Sequence, residues 1–190
     1  MTTGQERRDR VLVAGIGNVF LGDDGFGVEV AQRLLDRGRP PDGVQVVDVG
    51  IRGVDLAYRL LDGWAGLVIV DALHRDAPPG TLYRLEHTWD GPPLDPAAGA
   101  EAAPGGIAVD GHDMGPDVVL GLLRELAAAT GAGHPVDRVL VLGCEPADVG
   151  PGMGLSAPVT AAVDEALAAV DELVELLIDS ECTTPEGAHR

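Results

Sequence analysis

The sequence predicts an α/β chain built on a parallel sheet with helices on both faces, and three observations predict it. The short apolar run Val11-Leu12-Val13-Ala14 ends in the turn Gly15-Ile16-Gly17-Asn18, after which the apolar positions take up a helical spacing. Leu67-Val68-Ile69-Val70 is apolar at every position, as a strand must be when helices cover both its faces. Strand and helix signals then alternate along the chain.

Each element follows from local signals. The first helix begins near Gly25, with Val28, Ala31, Leu34 and Leu35 at its apolar positions. Val44 to Val49 reads as the second strand, Val54 to Leu61 as a short helix, and Leu67 to Val70 as the third strand, ending at Asp71. Thr81 to Glu86 alternates in the manner of an edge strand. From Gly91 to Gly106 the chain is so rich in Pro, Gly and Ala that the segment predicts a mobile surface loop. Pro116 suits the first turn of a helix running to about Thr130, because the N–H that proline lacks has no helical partner there, and His112 falls in the preceding loop. Arg138 to Gly143 is the last buried strand, and Ser156 opens a long helix, periodic in Ala, Leu and Val, that ends around Asp179. A length of 190 residues suits one domain, 1–190, with residues 1–9 and 180–190 as flexible tails.

Composition narrows the function classes. The formal charge of -18 comes from 31 acidic residues against 13 basic ones, all Arg, and such a surface repels phosphate backbones and anionic lipid. Nucleic acid and membrane are therefore not expected partners. No apolar run approaches the roughly 18 residues that span a bilayer. The N-terminus MTTGQERRDR has no signal-peptide pattern, so a cytoplasmic location is expected. Cys144 and Cys182 supply neither a disulfide framework nor a zinc-ribbon spacing, and both thiols are expected to be reduced.

Residues just beyond the carboxyl ends of parallel strands face the ligand crevice, and this rule selects the candidate site. Asp23 and Asp24 lie in the loop after the first strand, Asp48 and Asp71 end the second and third, and His112 precedes the Pro116 helix. Asp24, Asp71 and His112 are the set that can converge on one pocket. Two carboxylates and an imidazole suit a divalent transition ion such as nickel, zinc or iron, with open positions left on the ion. Each residue also has a plainer reading. Asp23 or Asp24 can cap the following helix, Asp71 can bond a neighbouring loop, and His112 can be a satisfied loop histidine. His74, His87 and His134 read as solvated loop positions, and Cys144 as a small apolar packing residue. Gly15-x-Gly17 opens like a dinucleotide fingerprint, but Phe20 stands where the third glycine belongs, and two carboxylates at a phosphate site are electrostatically wrong.

Gly15-Ile-Gly-Asn-Val-Phe-Leu-Gly-Asp-Asp-Gly-Phe-Gly27 resembles the N-terminal signature of the nickel–iron hydrogenase maturation proteases. Val47 to Ile51, Leu67 to Ala72, Gly111 to Gly115, and Gly143-Cys144-Glu145-Pro146 with Gly154-Leu155-Ser156 resemble that family's later blocks in order, over roughly Val11 to Leu177. The resemblance implies a three-layer fold with a twisted, mostly parallel five-stranded sheet, and an aspartyl-type or metal-assisted endopeptidase. It further implies metal contacts from Asp24, Asp71 and His112, with Asp48 as a base or a group that orients the chain. The substrate would be a hydrogenase large-subunit precursor whose C-terminal extension is removed once nickel is in place. Nickel would then arrive with the substrate, and zinc or cadmium would serve as surrogate ions. Three departures stand out. Some members carry Glu at the position of Asp24, the Asp-Gly-Gly-Thr block is here Asp48-Val49-Gly50-Ile51, and the 91–106 loop is longer than in typical members. The alternative reading is a non-catalytic module that senses a metal during assembly of a partner enzyme.

Overall fold

A computed structural model describes residues 10–89, 91–92, 94 and 115–181. In chain order the elements are β1 (Val11–Ile16), a 3-10 turn (Gly22–Gly25), α1 (Phe26–Asp36), β2 (Val44–Gly50), α2 (Gly53–Leu60) and β3 (Trp64–Ala72). They continue with β4 (Leu82–His87), α3 (Pro116–Thr130), β5 (Val136–Cys144) and α4 (Ala157–Glu181). The five strands form one sheet in the order β2-β1-β3-β5-β4. All neighbours run parallel except β4, which lies antiparallel to β5 at the edge that its alternation predicts.

Strand alternation sends successive side chains to opposite faces, and each face has its own helices. Val11, Val13, Val68, Val70, Leu140 and Leu142 pack with Phe26 and Val30 of α1 and with the apolar stripe of α4. Leu12, Ala14, Leu67, Ile69, Val139 and Val141 pack with Leu56 and Leu60 of α2 and with Val119, Leu120 and Leu123 of α3. This is the three-layer architecture the sequence predicts. The chain leaves β1 through α1 to reach β2 on one side, then returns through α2 to β3 on the other. The order therefore reverses between β1 and β3, and open α/β sheets have their crevice at the carboxyl ends of the strands at such a point.

Several boundaries differ from those predicted. β3 begins at Trp64 and β5 at Val136, earlier than their apolar runs, because Trp64 receives a backbone partner from Pro135 and donates its indole N–H to the Arg59 carbonyl. Leu94 lies within the stretch expected to be a surface loop, yet it is buried among the residues of the α2 and α3 face. Its N–H donates to Asp117 of α3 and its carbonyl accepts from Arg75, so the start of that segment is anchored. Residues 95–106 lie outside the described residues, as do the expected tails 1–9 and 182–190.

The register of α1 also shifts from the expected face: Phe26, Val28, Val30 and Ala31 are buried, whereas Leu35 is exposed. Backbone approach explains it. A methyl group on Gly27 would lie 2.1 Å from the Val70 carbonyl oxygen and 2.3 Å from that of Ile16, and one on Gly15 would lie 2.0 Å from the Gly27 carbonyl oxygen. The first turn of α1 thus rests directly on the backbones of β1 and β3. Gly27→Ala is expected to cost about 2–3 kcal/mol, the upper part of the overpacking range. That corresponds to a fall of roughly 5–10 °C in Tm for a domain of this size. A calorimetric melt within about 2 °C of the wild type would show that the helix can back away at little cost.

Candidate active site

The carboxyl end of β1 turns sharply at Gly17, whose φ of 127° lies in a region that favours glycine. A side chain there would also collide, because a Cβ on Gly17 would lie 1.9 Å from the Asp24 carbonyl oxygen. The same point is 3.5 Å from Asp71 Oδ1. Gly17 therefore lets the loop carrying Asp24 close down beside the Asp71 carboxylate. The loop is pinned from inside as well: the Asn18 N–H donates to Asp24 Oδ2 at 2.7 Å, and the Asp24 N–H donates to the Leu21 carbonyl at 3.2 Å. The Gly17 N–H donates to the Gly50 carbonyl, which ties in the end of β2.

Asp71 is buried, and its Oδ1 accepts the Ala72 N–H at 2.8 Å. By strand parity it shares the α2 and α3 face with Leu67 and Ile69. A Cβ on Gly115 would lie 4.0 Å from Asp71 Oδ2, so the residue that opens α3 stands against this carboxylate. The structure thus brings the Asp24 loop, Asp71 and the head of α3 to one place. His112, the third candidate, lies outside the described residues, as does its neighbour Asp113.

Asp48 is placed differently. It shares strand parity with Val44 and Val46 on the α1 and α4 face, and its Oδ2 accepts from Gln32 Nε2 of α1 at 3.0 Å. Arg52 holds the Asp48 main chain through its carbonyl at 2.9 Å. Asp48 and Asp71 consequently end their strands on opposite faces of the sheet.

Neither acid of the Asp23-Asp24 pair caps α1; Gly25 occupies that position with no side-chain cap. Asp23 instead turns inward and is fully buried. Its Oδ2 accepts the N–H groups of Ala147 at 2.8 Å and Asp148 at 3.1 Å, and its Oδ1 accepts that of Ser156 at 2.6 Å. Backbone bonds between Gly22 and Gly152, Phe20 and Gly152, and Asp23 and Asp148 complete the seam. Burial pushes the Asp23 carboxyl up, but the backbone donors of Ser156, Ala147 and Asp148 outweigh it and hold the group below its ordinary value.

Sequence reasoning passed over Asp23 as a structural anchor, and also Glu145. Glu145 is buried and accepts the Tyr83 hydroxyl and, at 2.8 Å, the Arg75 N–H. Burial pushes its carboxyl up, and the hydrogen bonds from Tyr83, Arg75 and Ala77 bring it below the usual range. Only its place directly after β5 hinted at a role. Cys144 is buried, and burial with the nearby charges of Asp23 and Glu145 pushes its thiol up to about 12. A thiol so protonated is a packing group and not a nucleophile. His74 and His134 are exposed as expected, but His87 is not a loop residue. It ends β4, half-buried edge-on to Trp89 with ring centroids 5.1 Å apart, and burial lowers its pKa.

Among the described residues, no group of three or more His, Cys, Asp or Glu side chains is arranged to hold a metal ion, and no helix is long and apolar enough to cross a membrane. What the arrangement offers is a pair of acidic residues at the switch point, open toward the segment that precedes α3.

An open α/β sheet with acids gathered at its switch point is an architecture used by hydrolases, and comparison with known proteins narrows it. The family model HycI, hydrogenase maturation protease, matches residues 28–88. The hydrogenase 2 maturation peptidase from Thaumarchaeota archaeon SCGC_AB-539-E09 is 33% identical, with a TM-score of 0.61 over 88% of this chain and 99% of that one. The hydrogenase maturating endopeptidase HybD from E. coli is 28% identical, with a TM-score of 0.64 over 87% of this chain and 92% of that one. Coenzyme F420 hydrogenase subunit delta from Methanothermobacter thermautotrophicus is 31% identical across 83% of this chain and 89% of its own length. The chain belongs to the hydrogenase maturation protease family.

Proposed function

We propose that this protein is an endopeptidase that removes the C-terminal extension of a nickel–iron hydrogenase large-subunit precursor after nickel insertion, and that it recognises the nickel carried by that substrate. The observation that carries the reading is the meeting of the Asp24 loop with the Asp71 carboxylate around Gly17, at the switch point of a hydrogenase maturation protease fold. In this reading Asp24, Asp71 and His112 complete the shell of an ion otherwise held by the substrate's thiolates. His112 is three residues ahead of Gly115, and three residues of chain reach at most about 11 Å, so the imidazole is tethered close to Asp71.

The roles of the chain's own groups follow from their settings. Asp71, buried and backed by the Ala72 N–H, offers a fixed carboxylate. Asp24 is held by the Asn18 N–H, which orients its carboxylate without burying it. A divalent ion between them polarises a peptide carbonyl or lowers the pKa of a bound water toward about 7. Asp48 faces α1 and is engaged by Gln32, which supports a part in orienting the substrate chain over a part as base.

The test is to incubate the purified chain with precursor in nickel-loaded and metal-free forms and follow the mass of the large subunit. The expected result is shortening of the nickel-loaded form alone, and no shortening by the His112→Ala variant. Equal cleavage of the metal-free form would remove nickel from the recognition step. Tight binding of the loaded precursor with no cleavage would favour the metal-sensing assembly module instead.

A further inference from the structure

Nine large apolar side chains are exposed among the described residues, and five of them, Val19, Phe20, Ile51, Val149 and Met153, stand on the loops at the carboxyl end of the sheet. Two are extreme: Phe20 is 64% exposed and Met153 79%. Solvation alone does not favour a phenyl ring and a thioether there, and contiguous exposed apolar surface at a cleft marks an interaction site. Between them lies a groove of about 230 Å³, whose floor runs between α1 and the first turns of α4 and whose lip includes Val19, Met153 and Leu155.

Resting on the function proposed above, we infer that this groove and its apolar lip dock the polypeptide of the precursor beside the scissile bond, seating one of its apolar side chains. Three features carry the inference. The groove is smaller than the roughly 300–1,000 Å³ of small-molecule sites, which suits a side chain and not a cofactor. It is also continuous with the candidate site through a single loop: Gly17 and Asp24 meet Asp71, while Val19, Gly22 and Gly25 line the groove. A substrate gripped on that side is held against the same rigid segment that presents Asp24. Finally, the lip is built and not frayed, because the Phe20 carbonyl accepts the Gly152 N–H and Leu21 bridges to Gly152, fixing the two apolar loops to each other. On the charged wall, Glu29 is neutralised by Arg33 at 2.8 Å, so the long-range charge of this acidic chain is locally cancelled where an apolar partner would seat.

The test is steady-state cleavage of nickel-loaded precursor by the Phe20→Ala/Met153→Ala double variant, with Leu35→Ala, exposed at the far end of α1, as control. Exposed side chains carry little packing energy, so the double variant is expected to melt with the wild type. Its KM should rise about tenfold or more, the loss seen when an anchoring aromatic is truncated, with kcat within about twofold. Leu35→Ala should change neither. An unchanged KM overturns the inference, and so does a fall in kcat alone. If sedimentation shows a wild-type dimer that the double variant dissolves, a second copy occupies the lip and the inference is likewise overturned. Wild-type protein that does not cleave at all overturns the proposed function and not the docking surface. Calorimetric affinity for the loaded precursor then decides the latter, tenfold weaker binding by the double variant supporting it and equal binding ending it.

Discussion

Asp71→Asn is expected to lower the processing of a nickel-loaded precursor by at least about 10²-fold, the lower end of what a positioned catalytic group contributes. The amide is nearly the same size and its oxygen can still accept the Ala72 N–H, so the local backbone bond survives. What is lost is the negative charge that makes the group a ligand for a divalent ion, since an amide oxygen is a far poorer donor to a transition metal. Removing a buried carboxylate also removes a desolvation cost, so the melting temperature should stay within a few degrees of the wild type. The measurement is the time course of large-subunit shortening by mass spectrometry, alongside thermal melting. Processing within tenfold of the wild type would mean that the reaction does not pass through this carboxylate.

Asp23→Ala should show the reverse pattern, a large loss of stability. The substitution leaves three backbone donors, on Ala147, Asp148 and Ser156, without their acceptor. Bonds to a charged group are each worth about 1.5–3 kcal/mol, and water can reach part of this seam, so a total of about 3 kcal/mol is expected. For a domain of this size that lowers Tm by roughly 6–12 °C. The pH dependence has a definite sign. Because the folded carboxyl titrates below its unfolded value of about 3.9, its stabilisation is complete above that value and is lost as pH falls through the folded one. Wild-type protein should therefore lose stability below about pH 4, and the variant should show a flatter profile across that window. Denaturant titrations at a series of pH values would reveal it, and parallel profiles would show that Asp23 carries none of the acid sensitivity.

How much of this was legible in the sequence depends on whether the signal was local. The buried runs at Val11 and Leu67 could only be covered strands, and the alternation of Leu82 to His87 could only be an edge. Asp71 was legible because topology alone puts the end of a central strand at the crevice. Asp23 was not, since its three partners are more than 120 residues away and nothing near it in sequence distinguishes an inward carboxylate from a helix cap. Asp48 shows the limit of the strand-end rule: being at the right end of a strand does not decide which face the side chain takes. The parity of Val44 and Val46 decides that, and with it the partnership with Gln32. Leu94 was hidden because a single apolar anchor in a stretch of Pro, Gly and Ala has no periodicity to reveal it.

The seam between the loop around Asp23 and the strand-to-helix connection around Ala147 joins the first part of the chain to the last. A ribosome delivers the acidic loop long before it delivers the donors that fix it, because synthesis runs from the N-terminus at a few to tens of residues each second. Until the final helix emerges, the loop lacks its clamp, and a nascent fragment has no settled edge with which to cut anything. Competence to cleave is thereby deferred to the last moment of the protein's own making.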